Sequence, residues 1–138
     1  MANALYPLYK QSLLSGDASS NLTTDTAADG VFAALVDTGV YTYSAAHQFF
    51  SSLSGIVGTD QRTTTPTVTN GLFTGTNLTY TAVTGASVEA IVLYRKNAGA
   101  NTTWRLVAYI DTGVTGLPVT PNGGNITVTW NASGIFQL

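Results

Sequence analysis

The chain of 138 residues contains no cysteine, which excludes disulfide bonds, thiolate metal sites and cysteine nucleophiles together. His47 is its one histidine and Glu89 its one glutamate. A transition-metal site needs several such ligands. A serine nucleophile needs a base, for which His47 is the sole candidate, and the G-x-S-x-G motif is absent. We therefore expect no catalytic residue, no metal and no cofactor, and we expect His47 to be packed or hydrogen-bonded.

Charged residues are also scarce, at 9% of the chain with a net charge of −2. Nucleic-acid binding needs clustered lysine and arginine, so no nucleic-acid partner is expected. Threonine, serine, asparagine and glycine supply the polar surface instead. Such side chains cost much less to desolvate than lysine or glutamate. The composition therefore favours a protein that functions as a packed subunit of a larger assembly.

No apolar run approaches the length of a membrane span, and no membrane partner is expected. The first residues, MANALYPLYKQSLLSGD, lack a charged region followed by an apolar stretch, so no signal peptide is expected.

The N-terminal segment predicts a helix over 3–15. Asn3 could cap it, Gly16 could end it, and Pro7 is tolerable only in its first turn. An apolar stripe at helical spacing comprises Leu5, Leu8, Tyr9 and Leu13.

The middle of the chain predicts a loop over 17–30, a buried strand over 31–39 and a short helix over 44–55. The helix prediction depends on Ser44 as a cap, Phe49, Phe50 and Leu53 as an apolar face, and Gly55 as a stop.

After Gly55 the chain is rich in β-formers, with turn residues at short intervals. Two strands are apolar on both faces and should form a central antiparallel hairpin from 88–94 and 104–110, with Tyr94 close to Trp104. PNGG at 121–124 is interpreted as a hairpin turn. Further strands are predicted near 65–73, 77–83, 116–120, 125–131 and 134–138. In 77–83 and 125–131, apolar residues on one face should alternate with outward threonines: Leu78, Tyr80 and Ala82, then Ile126, Val128 and Trp130.

These elements predict a mainly β fold, an antiparallel β-sandwich of jelly-roll type with an N-terminal helix and one short additional helix. By length it is one folded unit, divided into a helix or arm at 1–16 and a β-sandwich domain at 17–138.

Asp-Thr-Gly occurs twice, at 37–39 and 111–113, as in aspartic proteases. Two such halves need a much longer chain, and here valine follows each glycine where that family has a small residue. We therefore interpret Asp37 and Asp111 as turn-capping residues at strand ends whose carboxylates stay apart.

Several blocks resemble a family of small structural proteins of tailed bacteriophages. These blocks are MANALY, LVDTGVYTYSAAHQF, SSLSG, TVTNGLF, ASVEAIVLY and RLVAYIDTGVTGLPVTPNGGNITVTW. The similarity spans nearly the whole chain, is most specific in the C-terminal block, and is weakest at 18–30 and 95–103. It implies a capsid decoration or cement protein that binds the major capsid protein, located on the capsid surface of the virion and made in the cytoplasm of the bacterial host. A homo-oligomer, with a trimer as the first guess, is implied as well.

Two alternatives stay open, a tail- or fibre-associated virion protein and a small carbohydrate- or receptor-binding β-module. A sugar-binding module should cluster aromatic residues in one exposed groove. For attachment to the capsid or to a sister subunit, the N-terminal helix is the expected element, with exposed tyrosines offering large contact area. The expected interface residues are Leu5, Tyr6, Leu8, Tyr9 and Leu13.

Overall fold

The computed structural model describes residues 3–138. Strands make up 35% and helices 10% of the chain, and the sheets are antiparallel. The predicted fold class is therefore confirmed as mainly β and sandwich-like, with a short helix.

Ten strands are present among residues 3–138, and the first precedes the single α-helix, α1 (Pro7–Leu14). They are β1 (Ala4–Leu5), β2 (Gly30–Val36), β3 (Ile56–Arg62), β4 (Thr67–Thr69), β5 (Leu72–Thr74), β6 (Leu78–Tyr80), β7 (Ala90–Lys96), β8 (Arg105–Ile110), β9 (Ile126–Val128) and β10 (Phe136–Gln137). The main sheet has the order β1-β8-β7-β2-β3. A three-stranded sheet, β10-β5-β4, and a two-stranded sheet, β6-β9, complete the fold.

The three central strands, β2, β7 and β8, are buried along nearly their whole length because apolar residues cover both of their faces. The predicted hairpin of β7 and β8 is confirmed as antiparallel. Tyr94 pairs with Leu106 in the strand register, and its ring stacks on that of Trp104 with centroids 5.8 Å apart. Because the register shifts between Leu93 and Tyr94, the strand partner of Tyr94 is Leu106, whereas the prediction placed Trp104 close to opposite it.

A second irregularity lies in β3, which advances four positions from Gln61 to Val57 while β2 advances only two, from Ala33 to Leu35. The Tyr80 hydroxyl donates a hydrogen bond of 2.9 Å to the Ala33 carbonyl there. A bulge leaves a strand carbonyl without its ladder partner, and this buried tyrosine supplies a donor from the two-stranded sheet. The bond ties β6 to the centre of the main sheet.

The helix in the N-terminal segment is shorter than predicted. Ala4 and Leu5 pair with Tyr109 and Ala108 of β8, so the first residues form an edge strand instead of the start of a helix. The helix begins at Pro7, where the missing N–H removes no intrahelical hydrogen bond. Within the arm predicted at 1–16, the described part is thus paired with β8 and packed on the main fold.

The helix predicted over 44–55 is wrong. Only a 3₁₀ turn, Phe50–Ser52, forms there. The backbone of this segment instead pairs with the edge of the main sheet. The Phe50 N–H donates to the Trp104 carbonyl at 2.8 Å, and the Leu106 N–H donates to the Gln48 carbonyl at 2.9 Å. Pairing with an exposed strand edge satisfies more backbone groups than a short helix would.

The strand and turn predictions need four corrections. The stretch 65–73 contains a hairpin of β4 and β5 instead of one strand, and β3 was not predicted. The stretch 116–120 makes only an isolated bridge, between Val119 and Val88. PNGG does not join two paired strands, because Val119 before it pairs with Val88 and Ile126 after it pairs with Tyr80.

The outward threonines of β6 and β9 are confirmed: Thr79 and Thr127 face each other across the strand pair and are exposed. The inward residues of both strands are buried as predicted. Ala82 departs from the pattern, because it lies beyond the end of β6 with a φ of 49° and is exposed.

Candidate interaction surface

The tyrosines predicted to be exposed on the N-terminal segment are buried, so that part of the prediction is wrong. Tyr6 has 0% and Tyr9 1% of its surface exposed. The Tyr6 N–H donates to the Val107 carbonyl of β8 at 3.0 Å, which turns the side chain under the helix. The Tyr9 hydroxyl donates to the Ser20 carbonyl at 3.1 Å. Neither ring can meet a partner in this arrangement.

The three leucines of the predicted interface are half-buried. Leu5 and Leu13 pack against the hydrophobic core, while Leu8 lines a small polar recess. Their contact with a capsid or a sister subunit stays a prediction. Leu14, which the helical stripe omitted, is 90% exposed.

Tyr6 belongs to a cluster of aromatic side chains that also contains Tyr41, Tyr43, Tyr109 and His47. The hydroxyls of Tyr6 and Tyr41 lie 2.8 Å apart, and the Tyr41 hydroxyl lies 2.9 Å from His47 Nδ1. Burial raises the pKa of the Tyr6 and Tyr41 hydroxyls, so both stay neutral donors. His47 is therefore hydrogen-bonded, as the sequence predicted, although not on a helix.

The two Asp-Thr-Gly motifs lie in turns that are held differently. Asp37 Oδ1 accepts the Gly39 N–H at 2.7 Å, so Asp37 caps its own turn as predicted. In the second motif, Asn3 Oδ1 accepts the N–H groups of Asp111 and Thr112 at 2.8 and 3.0 Å. Asn3, expected to cap a helix, thus fastens the N-terminus to the end of β8.

Three aspartates of the predicted loop at 17–30 are each held by an arginine of the main sheet. These ion pairs are Asp17 with Arg105 (2.6 Å), Asp25 with Arg62 (2.7 Å) and Asp29 with Arg95. Arg95 is 5% exposed and also donates to the carbonyls of Asn21 and Lys96. Hydrogen bonds from Ser19, and next the charge of Arg105, lower the pKa of Asp17. The loop is therefore fixed to the sheet electrostatically.

The ammonium group of Lys96 also makes its contacts within the chain. Its Nζ lies 4.9 Å from the centroid of the Phe32 ring and 5.0 Å from that of Trp104, within cation–π range. Lys10 is different: among the lysines and arginines of residues 3–138, it alone makes neither an ion pair nor a ring contact. The exterior thus carries very little positive charge beyond Lys10.

A groove of about 590 Å³ runs beside Lys10, between the edge strands β1 and β10 of two different sheets. Leu5 and Tyr43 contribute apolar surface to it, and Gln137 lies on the opposite side. A second cleft, of about 350 Å³, shares Asn3, Ile110 and Ile135 with it. The two clefts therefore adjoin each other along the seam of the sandwich. Because their residues come from both ends of the chain, no local sequence signal pointed to them.

The aromatic residues at the other end of the main sheet, away from Tyr109, do not form an open groove. Phe32, Tyr94 and Trp104 lie in a row across β2, β7 and the start of β8, with neighbouring centroids 5.9 and 5.8 Å apart. Tyr94 is buried, the other two are half-buried, and Lys96 covers the row. This arrangement is a packed aromatic layer and does not favour the sugar-binding alternative.

No protein-family model matches the chain, and no curated protein is significantly similar to it in sequence. Within residues 3–138, no helix has the length and apolar character to cross a membrane. The same part of the chain contains no group of three or more histidine, aspartate or glutamate side chains placed to hold a metal ion.

Proposed function

We propose that this protein is a non-enzymatic structural component of a tailed-phage virion, a capsid decoration protein that binds the major capsid protein shell. It would act as a homo-oligomer on the capsid surface after synthesis in the bacterial cytoplasm. The resemblance of its sequence blocks to phage structural proteins motivates this proposal. One structural observation supports it best: most of the charged side chains form contacts within the chain itself.

Three arginines hold aspartates of the loop at 17–30 and Lys96 lies on aromatic rings, so the outer surface is left to threonine, serine, asparagine and glycine. A surface of this kind loses little hydration free energy when it is covered. It suits a wet, polar interface in which many weak contacts are multiplied by the symmetry of a shell.

The groove between β1 and β10 is the attachment surface that we propose. It combines apolar walls with Lys10, whose ammonium group makes no ion pair within residues 3–138. A capsid segment carrying a carboxylate would supply that counter-ion and steer the encounter. Because the groove includes Leu5, this proposal retains part of the predicted N-terminal interface.

The first test is the copy number on particles of the phage that encodes the chain. Quantitative mass spectrometry of purified heads should find this protein in a fixed, high ratio to the major capsid protein. A few copies per particle would instead indicate the tail- or fibre-associated alternative. Absence from purified particles would refute the virion role.

The second test measures rebinding of purified protein to heads that lack it. Lys10→Glu should weaken binding by about tenfold or more, because it places like charges together in the groove. Gln11→Glu is the matched control, since Gln11 is the next residue on the same helix, is exposed and does not line the groove. Equal binding by the two variants would show that the groove is not the attachment surface.

A further inference from the structure

The hairpin of β4 and β5 leaves one short strand edge unpaired. Its turn residues, Asn70 and Gly71, have φ values of 52° and 79°, which define a two-residue turn of type I′. Thr69 pairs with Leu72 directly across the turn, and Thr67 pairs with Thr74. β4 is the last strand of its sheet, so its outer side has no neighbour among residues 3–138.

The geometry of this turn fixes which backbone groups face outward. Residues that flank a two-residue turn form a hydrogen-bonded pair, and hydrogen-bonded pairs alternate along an antiparallel ladder. Thr69 and Thr67 therefore bond to β5, while the N–H and C=O of Val68 point away from the hairpin. Pro66, on its N-terminal side, has no N–H to offer. Within β4 itself, the free edge thus consists of one donor and one acceptor, both on Val68.

An apolar cleft of about 230 Å³ lies beside this edge. Its walls include Leu13, Phe73 and Phe136, and none of its lining side chains is charged. At its rim Val68 is 51% and Leu138 61% exposed, two of the few large apolar residues on the surface. An apolar cleft next to an unpaired strand edge is the combination that protein partners cover.

We propose that a second copy of this chain covers the cleft, with β4 of each copy paired antiparallel about a two-fold axis at Val68. Such a contact is self-complementary: the N–H and C=O of one Val68 meet the C=O and N–H of the other. The side chains that line the cleft are all uncharged, so they offer no counter-charge to a charged partner. Pro66 and the turn limit the pairing to this residue, which favours a closed dimer over an open chain of subunits.

The absence of cysteine from the chain gives a direct test of this geometry. In a hydrogen-bonded antiparallel pair the Cα atoms are about 5.5 Å apart, within the range that a disulfide spans. A Val68→Cys variant should therefore form a covalent dimer under mild oxidation. Val40→Cys is the matched control, because Val40 is also an exposed valine, at 60%, and lies outside the cleft. Maleimide labelling of each thiol normalises the two rates for reactivity.

Sedimentation of the unmodified chain gives the second readout. The wild-type protein should form dimers, and Val68→Asp should weaken dimerisation by about tenfold or more, because each copy would bury an aspartate without a counter-charge. Circular dichroism of the variant should be unchanged, since residue 68 is on an exposed edge. Monomers of the wild-type chain at all concentrations, trimers that persist in Val68→Asp, or equal normalised cross-linking at positions 68 and 40 would each overturn the proposal.

This inference concerns the homo-oligomer within the proposed function, and the two can fail separately. A chain that is monomeric in solution but saturates capsid heads would refute the dimer alone. A dimer that never binds heads would refute only the virion role.

Discussion

Asp60 is a half-buried residue whose replacement should make the protein more stable at neutral pH. It lies on β3, where its Oδ2 accepts the Tyr94 hydroxyl at 2.8 Å. Its Oδ1 is buried and has no hydrogen-bond partner within the described chain. Burial raises the pKa of Asp60 from 3.8 to about 6, against the opposing effects of the Tyr94 hydrogen bond and the charge of Lys96. The ionised form is thus held in a site that disfavours it.

The sign of the effect on stability follows from proton binding. Between pH 4 and about 6 the folded state keeps the Asp60 proton while the unfolded state has released it, so stability falls as pH rises. Each pKa unit corresponds to 1.36 kcal/mol, and the shift of Asp60 therefore costs about 3 kcal/mol above pH 6. Glu89, whose pKa is lowered by a hydrogen bond from Ser87, acts in the opposite direction at lower pH.

Asp60→Asn removes this ionisation and keeps an acceptor for Tyr94. The amide nitrogen at the Oδ1 position would have no hydrogen-bond partner, which costs about 1–2 kcal/mol and offsets part of the stabilisation. The expected net stabilisation at pH 7 is about 1–2 kcal/mol, or about 3–7 °C in Tm for a chain of this size. At pH 3.5 the variant should be no more stable than the wild type.

Urea unfolding followed by tryptophan fluorescence between pH 3.5 and 7.5 measures both effects. The difference in unfolding free energy between Asp60→Asn and the wild type should grow with pH and level off above pH 6. Tyr94→Phe provides a second check, because losing its hydrogen bond should raise the pKa of Asp60 further and move the decline to higher pH. Parallel pH profiles for wild type and Asp60→Asn would refute the raised pKa.

Two more perturbations test how the fold is held. Deleting residues 1–16 should prevent folding, seen as loss of the strand signal in circular dichroism, because it removes the fully buried Tyr6 and Tyr9, each worth about 3–5 kcal/mol; a folded truncated domain would contradict this. Gly116→Ala should destabilise the fold by about 3 kcal/mol or more in thermal unfolding, because the new Cβ would lie 2.2 Å from the Thr127 carbonyl oxygen. Gly113→Ala is the control and should cost about 1 kcal/mol. Gly113 is also at positive φ, but no atom lies within 4 Å of its Cβ position. Equal costs would rule out the clash.

Hydrophobic runs predicted the elements that are buried on both sides. β2 and most of β7 and β8 are runs of apolar residues that a central place in the sheet buries on both faces, and the pairing of β7 with β8 was predicted from their order. β3 escaped prediction because most of its residues are exposed or half-buried and it contains Gly58 at a φ of 74°. An edge strand of this kind is defined by its neighbour and not by its own pattern.

Two errors have different physical origins. Phe49 and Phe50 fit a helical stripe, but the edge of β8 offered backbone partners to the same segment, so tertiary pairing overrode the local pattern. The hairpin at Asn70 and Gly71 could have been predicted, since Asn-Gly between short β-forming runs is the strongest hairpin signal. The candidate groove could not, because only the folded chain brings β1 and β10 to one seam.

The repeated Asp-Thr-Gly motif has an explanation in strand order. β2 and β8 both pair antiparallel with β7, so they run in the same direction and end at the same edge of the sheet. With β7 between them, their ends are about 10 Å apart, twice the spacing of adjacent strands. A shared catalytic proton requires carboxylates in hydrogen-bond contact, whereas Asp37 Oδ1 accepts the N–H of Gly39 in its own turn. The turns themselves differ, because the Val40 N–H closes the first by donating to the Asp37 carbonyl at 3.1 Å, whereas Asn3 holds the second. The repeat therefore marks two equivalent strand exits of the sheet that are stabilised by different contacts.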